Sequence, residues 1–196
     1  PRLISSAASD VYKRQPYTSS SAYYFPTTGR IHAVEVLKGP AVVSQGPQTI
    51  GGAINLISTP IPEVNSGKFV QELGDNGMTR THAYYGGTQG NLGALIEVHE
   101  HSSDGFDTIA NVGGNTGFDK SDLMLKARYS SGNHTVTYKM VDLDENSDQS
   151  YVGLSQASFE ANARQRYGAT KYDKMMNEGE QTLSLIHISE PTRQPI

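Results

Sequence analysis

The chain contains neither cysteine nor tryptophan in its 196 residues. Without thiols there is no disulfide framework, no Cys-based zinc site and no cysteine nucleophile. Charge is sparse: Asp, Glu, Lys and Arg make up 18% of the residues, with a formal net charge of −4. The basic balance of a nucleic-acid binder is therefore missing. Long apolar runs are missing too. No stretch approaches the ~18 residues of a membrane helix, and Pro1–Gln15 lacks the apolar centre of a secretory signal. There is no Gly-x-Ser-x-Gly elbow and no Gly-Lys-Ser/Thr phosphate loop, so no motif marks an enzyme. What the chain does have is glycine, 20 residues, and tyrosine, 11 residues. Weak hydropathy with Gly and Tyr in abundance fits the one membrane class that crosses by strands apolar on a single face.

The two ends read differently from the middle. Residues 1–15 and 184–196 lack sustained periodicity, resemble translated library-adaptor sequence, and are set aside from fold reasoning. Between them, Val34–Leu37 predicts a short strand that Gly39-Pro40 stops. Pro40 suits the first turn of a short helix over Ala41–Gln45, which Gly46-Pro47 ends. Ile50–Ile57 predicts a second strand with Gly51-Gly52 near its start, and Thr59–Pro62 reads as a linker. From Lys68 onward the pattern changes to long alternating runs over Thr79–Thr88, Leu92–His101, Leu123–Ser131 and His134–Leu143. In the clearest of these, Leu92, Ala94, Ile96 and Val98 share one face, and Gly93, Leu95, Glu97, His99 and His101 share the other. Period two with one apolar face marks a half-buried antiparallel strand. The links at Gly86–Asn91 and Ser130–Asn133 are tight, whereas Ser102–Asp119 and Asp142–Glu180 are long. That alternation of short and long links is the layout of an outer-membrane barrel. A soluble β-sandwich shows the same strand pattern, so periodicity leaves the two open.

The run Val34–Pro60, VEVLKGPAVVSQGPQTIGGAINLISTP, closely resembles the C-terminal half of the plug domain of TonB-dependent outer-membrane receptors. The resemblance is carried by Glu35, Lys38, Gly39, Pro40, Gly46, Gly51, Gly52 and Asn55. It continues into Asp144–Glu180, where Tyr151-x-Gly153-Leu154, Phe159-x-x-Asn162 and Arg166-Tyr167-x-Ala169 are similar to a loop of ferric-citrate-type receptors. It implies a mostly β fold, with part of the plug over residues 16–62 and the first antiparallel strands and extracellular loops of a barrel over 63–183. A barrel of about 22 strands at ~9–11 residues each needs roughly 200–240 residues in strands alone. The chain is therefore an incomplete piece. Three places depart from the family pattern: Ala33 stands where many members have Arg, Ser58-Thr59-Pro60 follows the Asn-containing strand where a basic residue often stands, and Gln45 stands where Tyr commonly precedes the glycine.

The implied function is active transport of a ferric siderophore, most similar to ferric citrate, across the bacterial outer membrane. Iron is then cargo carried by its chelator rather than a cofactor. The implied partners are the siderophore, outer-membrane lipid, and the TonB complex through a segment outside this sequence. A receptor for another siderophore, a cobalamin or a glycan, or a secreted β-sandwich binding module, are the alternatives. Within this frame the candidate ligand contacts are Gln45 and Gln48 at the plug apex and Arg164 and Arg166 in the long loop, since planar guanidinium groups suit carboxylates. Two other constellations read as ordinary polar faces. Glu97, His99 and His101 alternate on one strand face, and Asp142, Asp144, Asn146 and Asp148 mimic the first half of a calcium loop. Ser147 and Gly153 stand where that loop needs Gly and Glu. No catalytic residue and no metal site is expected.

Overall fold

The computed structural model describes residues 27–38, 53–111, 113–148, 153–168 and 177–189. It divides into two compact units, Pro1–Pro60 and Ile61–Ile196. In the first, β1 (Ile31–Leu37) pairs antiparallel with β2 (Ala53–Ser58). Both strands lie where β-branched runs predict them. The expected helix at Ala41–Gln45 and the Gly51-Gly52 pair fall outside the described residues.

The second unit holds an open six-stranded antiparallel sheet in the order β10-β8-β7-β5-β4-β3. Its strands are β3 (Ser66–Leu73), β4 (Thr79–Gln89), β5 (Leu92–Ser103), β7 (Phe118–Ser131), β8 (His134–Ser147) and β10 (Asn177–Ser189). Neighbours in sequence pair in space, as in a meander, and the sheet is not closed. The links at one end are two-residue turns, Gly90-Asn91 and Gly132-Asn133, closed by the pairs Gln89↔Leu92 and Ser131↔His134. Gly90 (φ 59°) and Gly132 (φ 57°) take the first central position with positive φ, the hairpin geometry whose twist matches the strands. The two long loops leave from the opposite end.

The long loops carry the remaining elements: β6 (Thr108–Ile109), the six-residue helix α1 (Gln156–Ala161) and β9 (Gln165–Arg166). Residues 104–117 hold β6 and residues 148–176 hold α1 and β9.

Which face packs is the informative feature. The pairings put Leu92, Tyr129 and Val136 in one cross-strand row, Ile96 with Leu125, and Val98 with Leu123. This apolar face is the open one: Ile96 is 47% exposed, and Leu92, Tyr129, Val136 and Tyr138 are exposed as well. Beyond it, toward the long loops, the same face turns polar at Glu100, Ser121 and Asp144. The opposite, inward face is packed although it is the polar one. Glu97, His99 and Asp122 are buried there beside Leu95, Met124, Val141 and Leu143. Among the described residues no second sheet covers the apolar face, as a water-soluble sandwich requires.

Two boundaries differ from expectation. Thr59–Pro62 is a linker, yet Ile61 is buried in the apolar cluster of Leu95, Met124 and Val141. Strand β10 runs across the division drawn at 183/184, with Ser184–Ser189 continuing the ladder opposite Met140–Thr135. Its apolar positions change face part-way, with Leu183 and Leu185 inward opposite Val141 and Lys139, and Ile186 and Ile188 on the open face opposite Tyr138 and Val136.

Candidate functional site

The loop end of the sheet carries the cleft that best fits a ligand. Thr108–Ile109 pairs in parallel with Gln165–Arg166, which joins the two long loops. The Ala110 N–H donates to the Arg166 carbonyl at 2.9 Å. The Arg166 Nε lies 2.9 Å from Asp107 Oδ2, and the Asp107 side chain is only 8% exposed. Helix α1 starts at Ser155, whose hydroxyl accepts the Ser158 N–H at 3.2 Å. The Gln165 amide donates back to the Ser158 carbonyl at 2.6 Å. Asn162, part of the Phe-x-x-Asn motif, accepts the Arg164 N–H on its side-chain oxygen at 2.9 Å and sets the turn into β9. These bonds enclose a cleft of about 410 Å³ lined by Phe106, Asp107, Phe159, Arg164, Gln165 and Arg166, among others. Its volume falls within the ~300–1,000 Å³ of small-ligand sites.

The structure brings Arg164 and Arg166 together here but gives them different tasks. Arg166 is held by Asp107 and ties the loops. Arg164 lines the cleft, and no side chain among the described residues meets its guanidinium. Asp107, Phe106 and Phe159 were not singled out as site residues in the sequence. Phe159 stood inside a quoted motif, but Asp107 meets a partner 59 positions away, which no local pattern encodes. Gln45 and Gln48, and the motif residues Gly39, Pro40, Gly46, Gly51 and Gly52, lie outside the described residues. Of the motif positions that remain, Asn55 donates to Glu35 at 3.0 Å directly across the β1–β2 ladder. Lys38 follows β1 and is exposed.

The two polar constellations also find their places. Glu97, 1% exposed, pairs with the ring of His82 at 2.8 Å, and the His82 and His99 ring centroids are 5.7 Å apart. One row further out, Arg80 bonds Glu72, and Lys120 bonds Glu145 at 2.7 Å. Among the described residues no three His, Asp or Glu side chains are placed to hold one metal ion. Asp142, Asp144 and Asn146 stay in extended β8, on its open face, with Asp142 accepting from Thr182 at 2.6 Å. They do not wrap into a calcium loop.

No protein-family model matches the chain. Among solved structures it is similar to the ferric citrate transporter FecA in its unliganded crystal form, with a TM-score of 0.64 and 20% sequence identity over 86% of this chain. The fold is that of a piece of such a transporter's plug and barrel. The match covers 25% of the transporter, so the chain spans about a quarter of its length.

Proposed function

We propose that the chain is part of a TonB-dependent outer-membrane receptor that takes up a ferric siderophore, with ferric citrate as the ligand. The observation that carries this reading is the inverted sheet, apolar where it is open and polar where it is packed. A strand wall with lipid on one side and a polar interior on the other has this form. The fold shared with a ferric citrate transporter supports it. The cleft between the long loops is where the ligand is captured. Arg164 supplies a bidentate donor for a carboxylate, and the Asp107–Arg166 pair keeps the two loops together around it. Iron enters as cargo, energy enters through the TonB complex, and no covalent step is involved.

The test is uptake of radioiron citrate by iron-starved cells that lack their own receptor and carry the complete reading frame containing this chain. Uptake that disappears when the proton-motive force is collapsed supports the reading, and its absence refutes it. A second reading has one observation in its favour. Phe106 and Phe159 are both exposed at the cleft and offer flat apolar surfaces that citrate has no use for. They suit a siderophore with aryl groups. Competition between the two iron chelates in the same cells separates these ligands.

A further inference from the structure

The segment that leads from β2 to β3 is held more firmly than a connection requires. Thr59-Pro60-Ile61-Pro62 carries two prolines. Each fixes its own φ and keeps the residue before it extended, so Ile61 sits in a stiff run. Ile61 is 8% exposed and packs on the inward face with Leu95, Met124 and Val141. A Cβ added to Gly93 would lie 3.0 Å from Ile61 Cγ2, so the glycine leaves open the slot that the isoleucine fills. The next residue is tied as well: the Thr88 hydroxyl donates to the Pro62 carbonyl at 2.8 Å. The Arg128 guanidinium donates to that same hydroxyl at 3.0 Å, which turns its proton toward the carbonyl. Arg128 also lies 3.4 Å from Glu63, but that carboxylate is 82% exposed and the contact adds little. Strands β4, β5, β7 and β8 all contribute to this grip, whereas β3 begins only at Ser66. Left free, the run from Ile61 to Asn65 could extend over roughly 17 Å. Held at Ile61 and Pro62, it has no such reach.

We propose that Ile61 and Pro62 form a fixed anchor on the inner wall, at the turn end, that stays closed while cargo passes. The movement that opens a passage then belongs to the first unit, up to Pro60, and not to the segment that follows it. A pull on the first unit is carried through Pro60 into the wall instead of being spent on straightening the connection. The anchor rests on the transport reading for its role and on packing and hydrogen bonding for its existence.

The chain has no cysteine, so a pair can be introduced into the complete protein containing it, freed of any other thiol. The 3.0 Å approach of a Gly93 Cβ to Ile61 Cγ2 suits a disulfide in I61C/G93C, whose Cβ atoms must lie within about 4.5 Å. Diamide is expected to close this disulfide to within twofold the same yield in energised and de-energised cells. Uptake of ferric citrate by the oxidised protein is expected to stay within twofold of the reduced one. Failure of the disulfide to form, or a loss of uptake of at least fivefold that reduction reverses, overturns the anchor. If the cysteine pair does not assemble in the membrane, I61C alone decides: protection from a maleimide in both states upholds the anchor, and labelling that appears on energising overturns it. If cells with the parent protein take up no ferric citrate, the transport reading fails by itself. The cross-link then decides the anchor: equal yields with and without the proton-motive force uphold it, and a yield at least fivefold lower in energised cells overturns it.

Discussion

The two faces of the six-stranded sheet obey opposite rules. The open face presents Leu92, Ile96, Val98, Leu123, Leu125 and Tyr138, and it carries no Lys or Arg. The packed face holds Glu97, His99 and Asp122 in nearly complete burial; the Glu97 carboxylate is paired with the His82 ring, whereas neither ring nitrogen of His99 meets a hydrogen-bond partner among the described residues. In water the arrangement is inside out, because exposed apolar rows gain nothing and buried charge costs several kcal/mol unless it is paired. Against lipid it is right side out. The contrast teaches that period-two alternation specifies two faces but is silent about which one meets the solvent.

The strongest way to break the contrast is to put one charge on each face of the complete protein that contains this chain. Ile96→Arg, in the middle of the apolar rows, is expected to cost about 2–4 kcal/mol of stability in the membrane, read as loss of the folded, heat-modifiable band on a gel. Thr137→Arg, on the opposite face, is expected to leave that band intact. Equal losses would show that the open face does not meet lipid. Next in size, Glu97→Leu removes the carboxylate partner of a His82 ring that is largely buried. An orphaned buried polar group costs about 1–3 kcal/mol, so thermal unfolding in detergent should move clearly downward. An unchanged midpoint would mean that the packed face does not depend on its pairs. Gly132→Ala should cost roughly 1–2 kcal/mol, because its φ of 57° lies in the left-handed region. The same substitution at Gly153, where a Cβ meets no neighbour within 4 Å and φ is not positive, should be nearly neutral by the same melt. Smallest is Asp107→Asn. Its partner Arg166 is 45% exposed, so about 1 kcal/mol or less is at stake. Global unfolding should barely move, while limited proteolysis should cut the loops faster. A large global shift would mean that the loops are integral to the sheet.

Much of this was legible in residues. The strands β4, β5, β7 and β8 follow directly from alternation, and both Gly-Asn turns fall inside the links read as tight. Strand β3 was harder, since its inward Lys68, Val70 and Glu72 and outward Phe69, Gln71 and Leu73 mix polarity on both sides. Its turn is signalled all the same: Asn76 (φ 57°) and Gly77 (φ 66°) are the central pair of a hairpin turn, and Asn-Gly is the strongest short-range sign of one. The sidedness of the sheet came only through the family resemblance. The loop cleft was half legible. Arg164 and Arg166 could be named from their charge and type, but their division of labour depends on Asp107, brought close by tertiary folding. The plug-apex candidates Gln45 and Gln48 lie outside the described residues and stand as sequence expectations.

The short parallel ladder between Thr108–Ile109 and Gln165–Arg166 bears on how such a chain can diverge. It joins two loops that are separated along the sequence by β7 and β8, so the segment between the joined points behaves as a closed circuit. An insertion in a free surface loop is cheap, because closure entropy grows only slowly with length. Here a lengthened first loop would pull β6 out of register with β9 unless the second loop lengthened with it. Descendants of this sequence should therefore vary the two loops jointly, and should exchange Asp107 and Arg166 as a pair more readily than either alone.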